Sequence, residues 1–179
     1  MPTIPSNRGA VGNFLQALVL LHRPKTIVEL GTFHGFTATC MGQAVKVNYL
    51  TKKYNGHVYT VDFYKDVNAH EVRANLIAHQ VEDYVTQISG EAVATSELWD
   101  IGTVDLLYID LTNRELELLA VWEAWHSRLS ANGIVVFLEY PHYAIEEFLD
   151  MVQHSGWQVI KLDTYIEDIK LVMVKQEVE

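Results

Sequence analysis

The sequence predicts an α/β domain: a doubly wound, mostly parallel seven-stranded sheet with helices on both faces and an antiparallel last strand. Three observations predict it. Short β-branched runs alternate with longer stretches of helical spacing, the pattern left by parallel strands joined through crossover helices. The final two apolar runs have no helix between them, so they pair antiparallel as a hairpin-like unit at one edge. The first five strands end in an acid or a glycine-bearing turn, at Glu29-Leu30-Gly31, Asp62, Gly90-Glu91, Asp110 and Glu139. Those ends share the rim where doubly wound sheets bind ligands.

The elements follow in order. Gly12 to His22 carries Phe14, Leu15, Leu18, Val19 and Leu21 at helical spacing, with Pro24 just beyond. Thr26 to Leu30 is a buried strand, and Thr37 to Tyr54 a helix closed by the left-handed terminator Asn55-Gly56. His57 to Val61 is the second strand, Val67 to His79 a helix, and Tyr84 to Ile88 the third strand. Val104 to Ile109 is the fourth. The helix from Asn113 to Leu129 then turns Leu116, Leu118, Leu119, Val121, Trp122 and Trp125 to its apolar face. Gly133 to Leu138 is the fifth strand, Tyr143 to Gln153 a helix, and Trp157 to Leu162 with Asp168 to Lys175 the closing pair.

No linker, repeat or low-complexity tract divides the 179 residues, so residues 1–179 read as a single domain opened by a short N-terminal helix. Against 13 basic residues stand 23 acidic ones, a formal charge of −10 that opposes a phosphate backbone, so nucleic acid is not an expected partner. Cys40 is the single cysteine, which excludes an internal disulfide and a CxxC metal site. The N-terminus lacks the pattern of a secretion signal. The apolar stretches Phe14–Leu21 and Ile134–Leu138 fall far short of the roughly 20 residues a membrane span needs. The expectation is a soluble, cytoplasmic protein with no membrane partner.

The most specific element is the turn Glu29-Leu30-Gly31-Thr32-Phe33-His34-Gly35. Gly31 and Gly35 let the backbone approach a ligand, and the helix that follows offers free N–H groups. A pyrophosphate site would want GxGxxG, and Glu29 would repel pyrophosphate. A carboxylate there suits a ligand that carries an ammonium group and a sulfonium centre. Asp62, closing the second strand, is placed to accept ribose hydroxyls.

On these residues the sequence resembles the class I S-adenosylmethionine-dependent methyltransferases, closest to the small O-methyltransferases of the catechol and caffeoyl-coenzyme A type. The resemblance rests on the ordered set Ile27-Val28-Glu29-Leu30-Gly31-Thr32-Phe33-His34-Gly35, Val58-Tyr59-Thr60-Val61-Asp62, Ile88-Ser89-Gly90-Glu91-Ala92, Val104-Asp105-Leu106-Leu107-Tyr108-Ile109-Asp110 and Gly133-Ile134-Val135-Val136-Phe137-Leu138-Glu139. It implies a Rossmann-like fold. It also implies that Glu29, Gly31, Thr32, Phe33 and Gly35 shape the methionine end of the S-adenosylmethionine pocket, with Asp62 on the ribose. Phe63 or Tyr64 would lie against the adenine, Gly90, Glu91 and Ala92 would border it, and Asp110 would sit between cofactor and acceptor.

The chain departs from the metal-dependent members, whose fourth strand ends in a motif like Asp-Ala-Asp-Lys and whose fifth ends in Asp-Asn. The matching residues are Asp110-Leu111-Thr112-Asn113 and Glu139-Tyr140, so one acid is kept, one is lengthened, and the second acid and the lysine are gone. Asp110 and Glu139 are the candidate Mg²⁺ ligands, since that ion accepts as few as one or two carboxylates. With His142, a general base suited to neutral pH, they form the candidate catalytic set. Each has a plainer reading: Asp110 as a helix cap, Glu139 as a turn acid, His142 and Tyr140 as acceptor-side contacts without chemistry. His34 reads as an acceptor contact or a surface loop histidine. Cys40 reads as packing, and Trp122 and Trp125 as core or subunit contact.

The expected function is methyl transfer from S-adenosylmethionine to a small-molecule acceptor, most simply an oxygen, with a homodimer completing the acceptor site. Two alternatives stand beside it: a cofactor-binding regulatory module of the same fold without catalysis, and a nicotinamide-dependent oxidoreductase. The missing GxGxxG and the closing strand pair disfavour the second.

Overall fold

The computed structural model describes residues 6–64, 68–111, 115–139, 144–163 and 170–176. Its elements are α1 (Ser6–His22), β1 (Thr26–Leu30), α2 (Phe36–Lys52), β2 (His57–Asp62), α3 (Ala69–Ala78), β3 (Val85–Ser89), α4 (Ala92–Glu97), β4 (Val104–Ile109), α5 (Glu115–Trp125), β5 (Leu129–Glu139), α6 (Ala144–His154), β6 (Trp157–Asp163) and β7 (Lys170–Gln176). The fold is a Rossmann-like α/β sheet whose strands run in the order β3-β2-β1-β4-β5-β7-β6. Pairing is parallel from β3 to β5, and β7 is antiparallel to both β5 and β6. The closing pair therefore lies at one edge with β7 on its inner side, where it covers the backbone groups of β5.

Alternate residues of the central strands serve opposite cores. Ile27, Leu106, Tyr108, Ile134 and Val136 pack with α1, α2 and α3. Val28, Leu30, Leu107, Ile109, Val135 and Phe137 pack with α5 and α6. Both faces of a parallel sheet must be covered, which is why these strands read as near-continuous apolar runs.

Local differences from the sequence reading have local causes. α1 begins at Ser6, before the apolar spacing starts. α2 ends at Lys52 rather than Tyr54, because Lys53 itself takes the left-handed conformation (φ 55°) and returns its N–H to Asn48 O and Tyr49 O. α5 stops at Trp125, and after the tight turn His126–Arg128 the strand β5 starts at Leu129, which pairs with Val104 across a register shift. The short helix α4 is new: its sequence Ala92-Val93-Ala94-Thr95-Ser96-Glu97 carries too little periodicity to show as a helix.

The register sets the site. Leu30 lies beside Val61 on one side and Ile109 on the other, Val61 beside Ile88, and Ile109 beside Phe137. The ends of the first five strands thus form one rim, and the strand order reverses there between β1 and β4.

Candidate functional site

At the switch point the sheet bonding continues one residue past the strands. Gly31 N–H donates to Val61 O at 2.9 Å, and Asp110 N–H donates to Leu30 O at 2.9 Å. This draws the end of β4 onto Gly31. A β-carbon there would stand 2.2 Å from the Asp110 carbonyl oxygen, and the backbone is at φ +99°, so only glycine fits. The residue predicted to clear space for a ligand clears it first for the neighbouring strand.

Beyond Gly31 the turn hangs on Asp62. Thr32 N–H and Phe33 N–H each donate to Asp62 Oδ2 at 2.9 Å, and Tyr64 N–H donates to Oδ1 at 3.0 Å. A carboxylate has about four acceptor places, so these bonds leave one, on Oδ1. Gly35 (φ +76°) ends the turn, accepts the Thr39 N–H and hydroxyl, and opens α2.

Beneath the turn lies a buried polar chain. Glu29 is fully buried; the Thr37 hydroxyl donates to Oε1 and the Thr60 hydroxyl to Oε2, the latter at 2.5 Å. Because Thr60 gives its one proton to Glu29, the Thr32 hydroxyl at 2.6 Å must donate to Thr60. The Tyr64 hydroxyl, 3.4 Å from Thr32, donates in turn. Burial raises the Tyr64 phenol above its ordinary range, and the Asp62 and Glu29 carboxylates add to the rise. That keeps the donating proton in place at neutral pH.

A cavity of about 540 Å³ opens at this rim, lined by Gly31, Val61, Asp62, Phe63, Gly90, Glu91, Ala92, Val93, Leu111, Ala120 and Val121. It brings together Gly31, Asp62, Phe63, Gly90, Glu91 and Ala92 from the predicted cofactor set. Glu29, Thr32, Phe33, Gly35 and Asp110 do not line it. Glu29 and Thr32 face inward in the polar chain, while Phe33 is half exposed at φ +45° with its ring edge-on to His34. Glu91 also serves the fold, since its carboxylate accepts Ala94 N–H at 2.9 Å and caps α4.

The wall residues that sequence reasoning missed are Val61, Val93, Leu111, Ala120 and Val121. Leu111 follows directly on Asp110. Ala120 and Val121 come from α5, and only the tertiary packing brings that helix to the cavity.

At the end of β4, Asp110 Oδ2 accepts the Tyr108 hydroxyl at 3.3 Å. Glu139 ends β5, and of it the backbone alone is described; Tyr140 and His142 lie outside the described residues. Among the described residues no group of three or more His, Cys, Asp or Glu side chains could hold a metal ion. His34 Nδ1 stands 3.6 Å from Glu71 Oε1 in the first turn of α3. Among the described residues no helix is long and apolar enough to cross a membrane. A second cavity, about 580 Å³ and lined by Arg23, Lys25, Tyr54, Asp105 and Asn132 among others, lies at the amino ends of β1 and β4. There Asp105 Oδ2 is committed to the Lys25 and Thr26 N–H groups at 2.8 and 3.1 Å.

A sheet wound outward from β1 in both directions, with a glycine turn and a cavity at its switch point, defines a Rossmann-like α/β protein with a ligand crevice. The chain belongs to the methyltransferase-domain family, which matches it over residues 28–140. It is 31% identical over 129 residues to Uncharacterized protein y4gI of Sinorhizobium fredii (strain NBRC 101917 / NGR234), covering 70% of this chain and 14% of that protein. To O-methyltransferase hkm8 of Aspergillus hancockii it is 27% identical over 123 residues, covering 69% and 46%. The chain thus spans less than half the length of either of these relatives. Its fold is similar to that of the O-methyltransferase TomG of Streptomyces achromogenes, solved in complex with SAM: TM-score 0.77, 16% identity, 98% of this chain and 82% of that one.

Proposed function

We propose that this protein transfers a methyl group from S-adenosylmethionine to an oxygen of a small-molecule acceptor. The observation that carries the reading is the cavity wall itself. Asp62 keeps one acceptor place on Oδ1 beside Gly31, and the apolar Val61, Phe63, Ala92, Val93 and Leu111 surround it. One ribose hydroxyl, donating to that place, with a flat base against the apolar wall fits this arrangement, and Phe63 offers the base an aromatic face. When bound, the cofactor supplies an electrophilic methyl on a cationic sulfonium.

The chain's own part is positioning and charge. The Asp62-anchored turn holds its shape before the ligand arrives, so little ordering remains to be done on binding. Carboxylates at the rim favour a cationic ligand over an anionic one. In this reading Glu29 and Thr32 support the turn from below. Asp110, Glu139 and His142 keep their places as the catalytic candidates, with His142 the general base that takes the proton of the acceptor's hydroxyl. The described donor set at Asp110 does not by itself make a Mg²⁺ site, and no step is assigned to a metal. A homodimer completing the acceptor site remains part of the proposal.

Isothermal titration with S-adenosylmethionine and S-adenosylhomocysteine, followed by methyl-transfer assays over a panel of hydroxylated acceptors, is the test. Binding with transfer supports the reading, binding without transfer points to the regulatory module, and absence of binding in folded protein sinks it.

A further inference from the structure

We infer that Trp125, which does not line the cavity, is a positioning residue that fixes the cavity's width for a flat base; this rests on the proposed cofactor reading. Helix α4 has six residues and buries only Ala92 and Ser96 among them, so it has little packing of its own to hold it in place. Yet its first turn, with Gly90 and Glu91, is one wall of the cavity. Ala120 and Val121 of α5 also line it, and Trp125 lies one helical turn beyond Val121.

The fully buried indole of Trp125 reaches across and donates its N–H to the Ala92 carbonyl at 2.9 Å. One helix therefore lines the cavity and tethers the α4 wall. The indole is itself braced. It stands edge-to-face on Trp99 at 5.3 Å, Trp99 stands edge-to-face on Tyr59 at 5.4 Å, and the Trp99 N–H donates to Gly102 O at 2.7 Å. An indole nitrogen only donates, so this bond cannot be exchanged for another without moving α4.

A residue that merely fills the core would cost stability when trimmed and leave affinity alone. Trp125→Phe and, as a packing control, Trp122→Phe on the same helix and in the same core are compared with the wild type. The measurements are urea denaturation and titration calorimetry with S-adenosylhomocysteine and adenosine. The expected result is that Trp125→Phe weakens both ligands by about 10-fold. Trp122→Phe loses stability and binds as the wild type does.

Hydrogen exchange of the Trp125 indole N–H in the wild type serves if Trp125→Phe does not fold, and its protection should rise when S-adenosylhomocysteine binds. A folded Trp125→Phe that binds within about two-fold of the wild type, equal weakening in Trp122→Phe, or protection that ligand leaves unchanged overturns the inference and leaves the function standing. A wild-type chain that binds neither ligand overturns both.

Discussion

The carbonyl oxygen of Asp110 occupies the space a side chain at Gly31 would need: a β-carbon on Gly31 would stand 2.2 Å from it. Two strand ends are in contact at the switch point, and the crevice beside them depends on that contact. Gly31→Ala should cost about 3 kcal/mol or more, from a left-handed backbone and a backbone clash together. Gly102→Ala separates the two causes, because Gly102 has φ +110° but nothing within 4 Å of the added carbon. It should cost about 1–2 kcal/mol. Urea denaturation measures both, and equal costs would show that the Asp110 contact is soft.

Asp62→Asn tests the clamp on the turn. An amide keeps one acceptor oxygen and turns an NH₂ group toward a backbone N–H or toward the ligand. Cofactor affinity should fall about 10- to 100-fold, the range of one or two charge-assisted hydrogen bonds. Titration calorimetry on folded Asp62→Asn decides it, and wild-type affinity would remove Asp62 from both roles.

Thr60→Val removes the hydroxyl that serves Glu29 Oε2 inside the core. A buried carboxylate short of a donor should cost about 3 kcal/mol, while Thr60→Ser, which keeps the hydroxyl, should lose less than about 1.5 kcal/mol. Chemical denaturation of the pair would show whether the hydroxyl or the methyl matters.

Cys40 gives a pH prediction. Burial first, and the Glu29 carboxylate second, push its thiol up from 9.0 to about 11. The unfolded chain therefore releases the thiol proton before the folded chain does. The stability that Cys40 contributes is fully present below pH 9 and is lost as pH rises toward about 11, because the unfolded state then binds fewer protons. Native protein should react slowly with a thiol reagent at about pH 8, and unfolded protein at the ordinary rate. Equal rates would show an accessible, unperturbed thiol.

Much of the fold was legible because parallel strands buried on both faces leave apolar runs that cannot be hidden. β1 and β4 match the predicted spans Thr26–Leu30 and Val104–Ile109. The turn at Gly31 and the acid at Asp62 were legible because a left-handed backbone and a strand-end carboxylate each demand particular residues. α4 was not, since six residues are too few to show a helical period, and the Trp125 bond to Ala92 comes from packing.

By itself the sequence determined that these strands would form, in what order they alternate with helices, and which strand-end residues would meet on one rim. Tertiary structure alone decided how those residues divide their work. Asp62 spends most of its acceptor places on the turn, Glu29 and Thr32 face inward, and α5 contributes a wall and a tether through Ala120, Val121 and Trp125. The reason is physical. Local pattern fixes which way a backbone bends and which face is apolar, but a hydrogen bond's partner is set by whatever distant residue packing brings within about 3 Å.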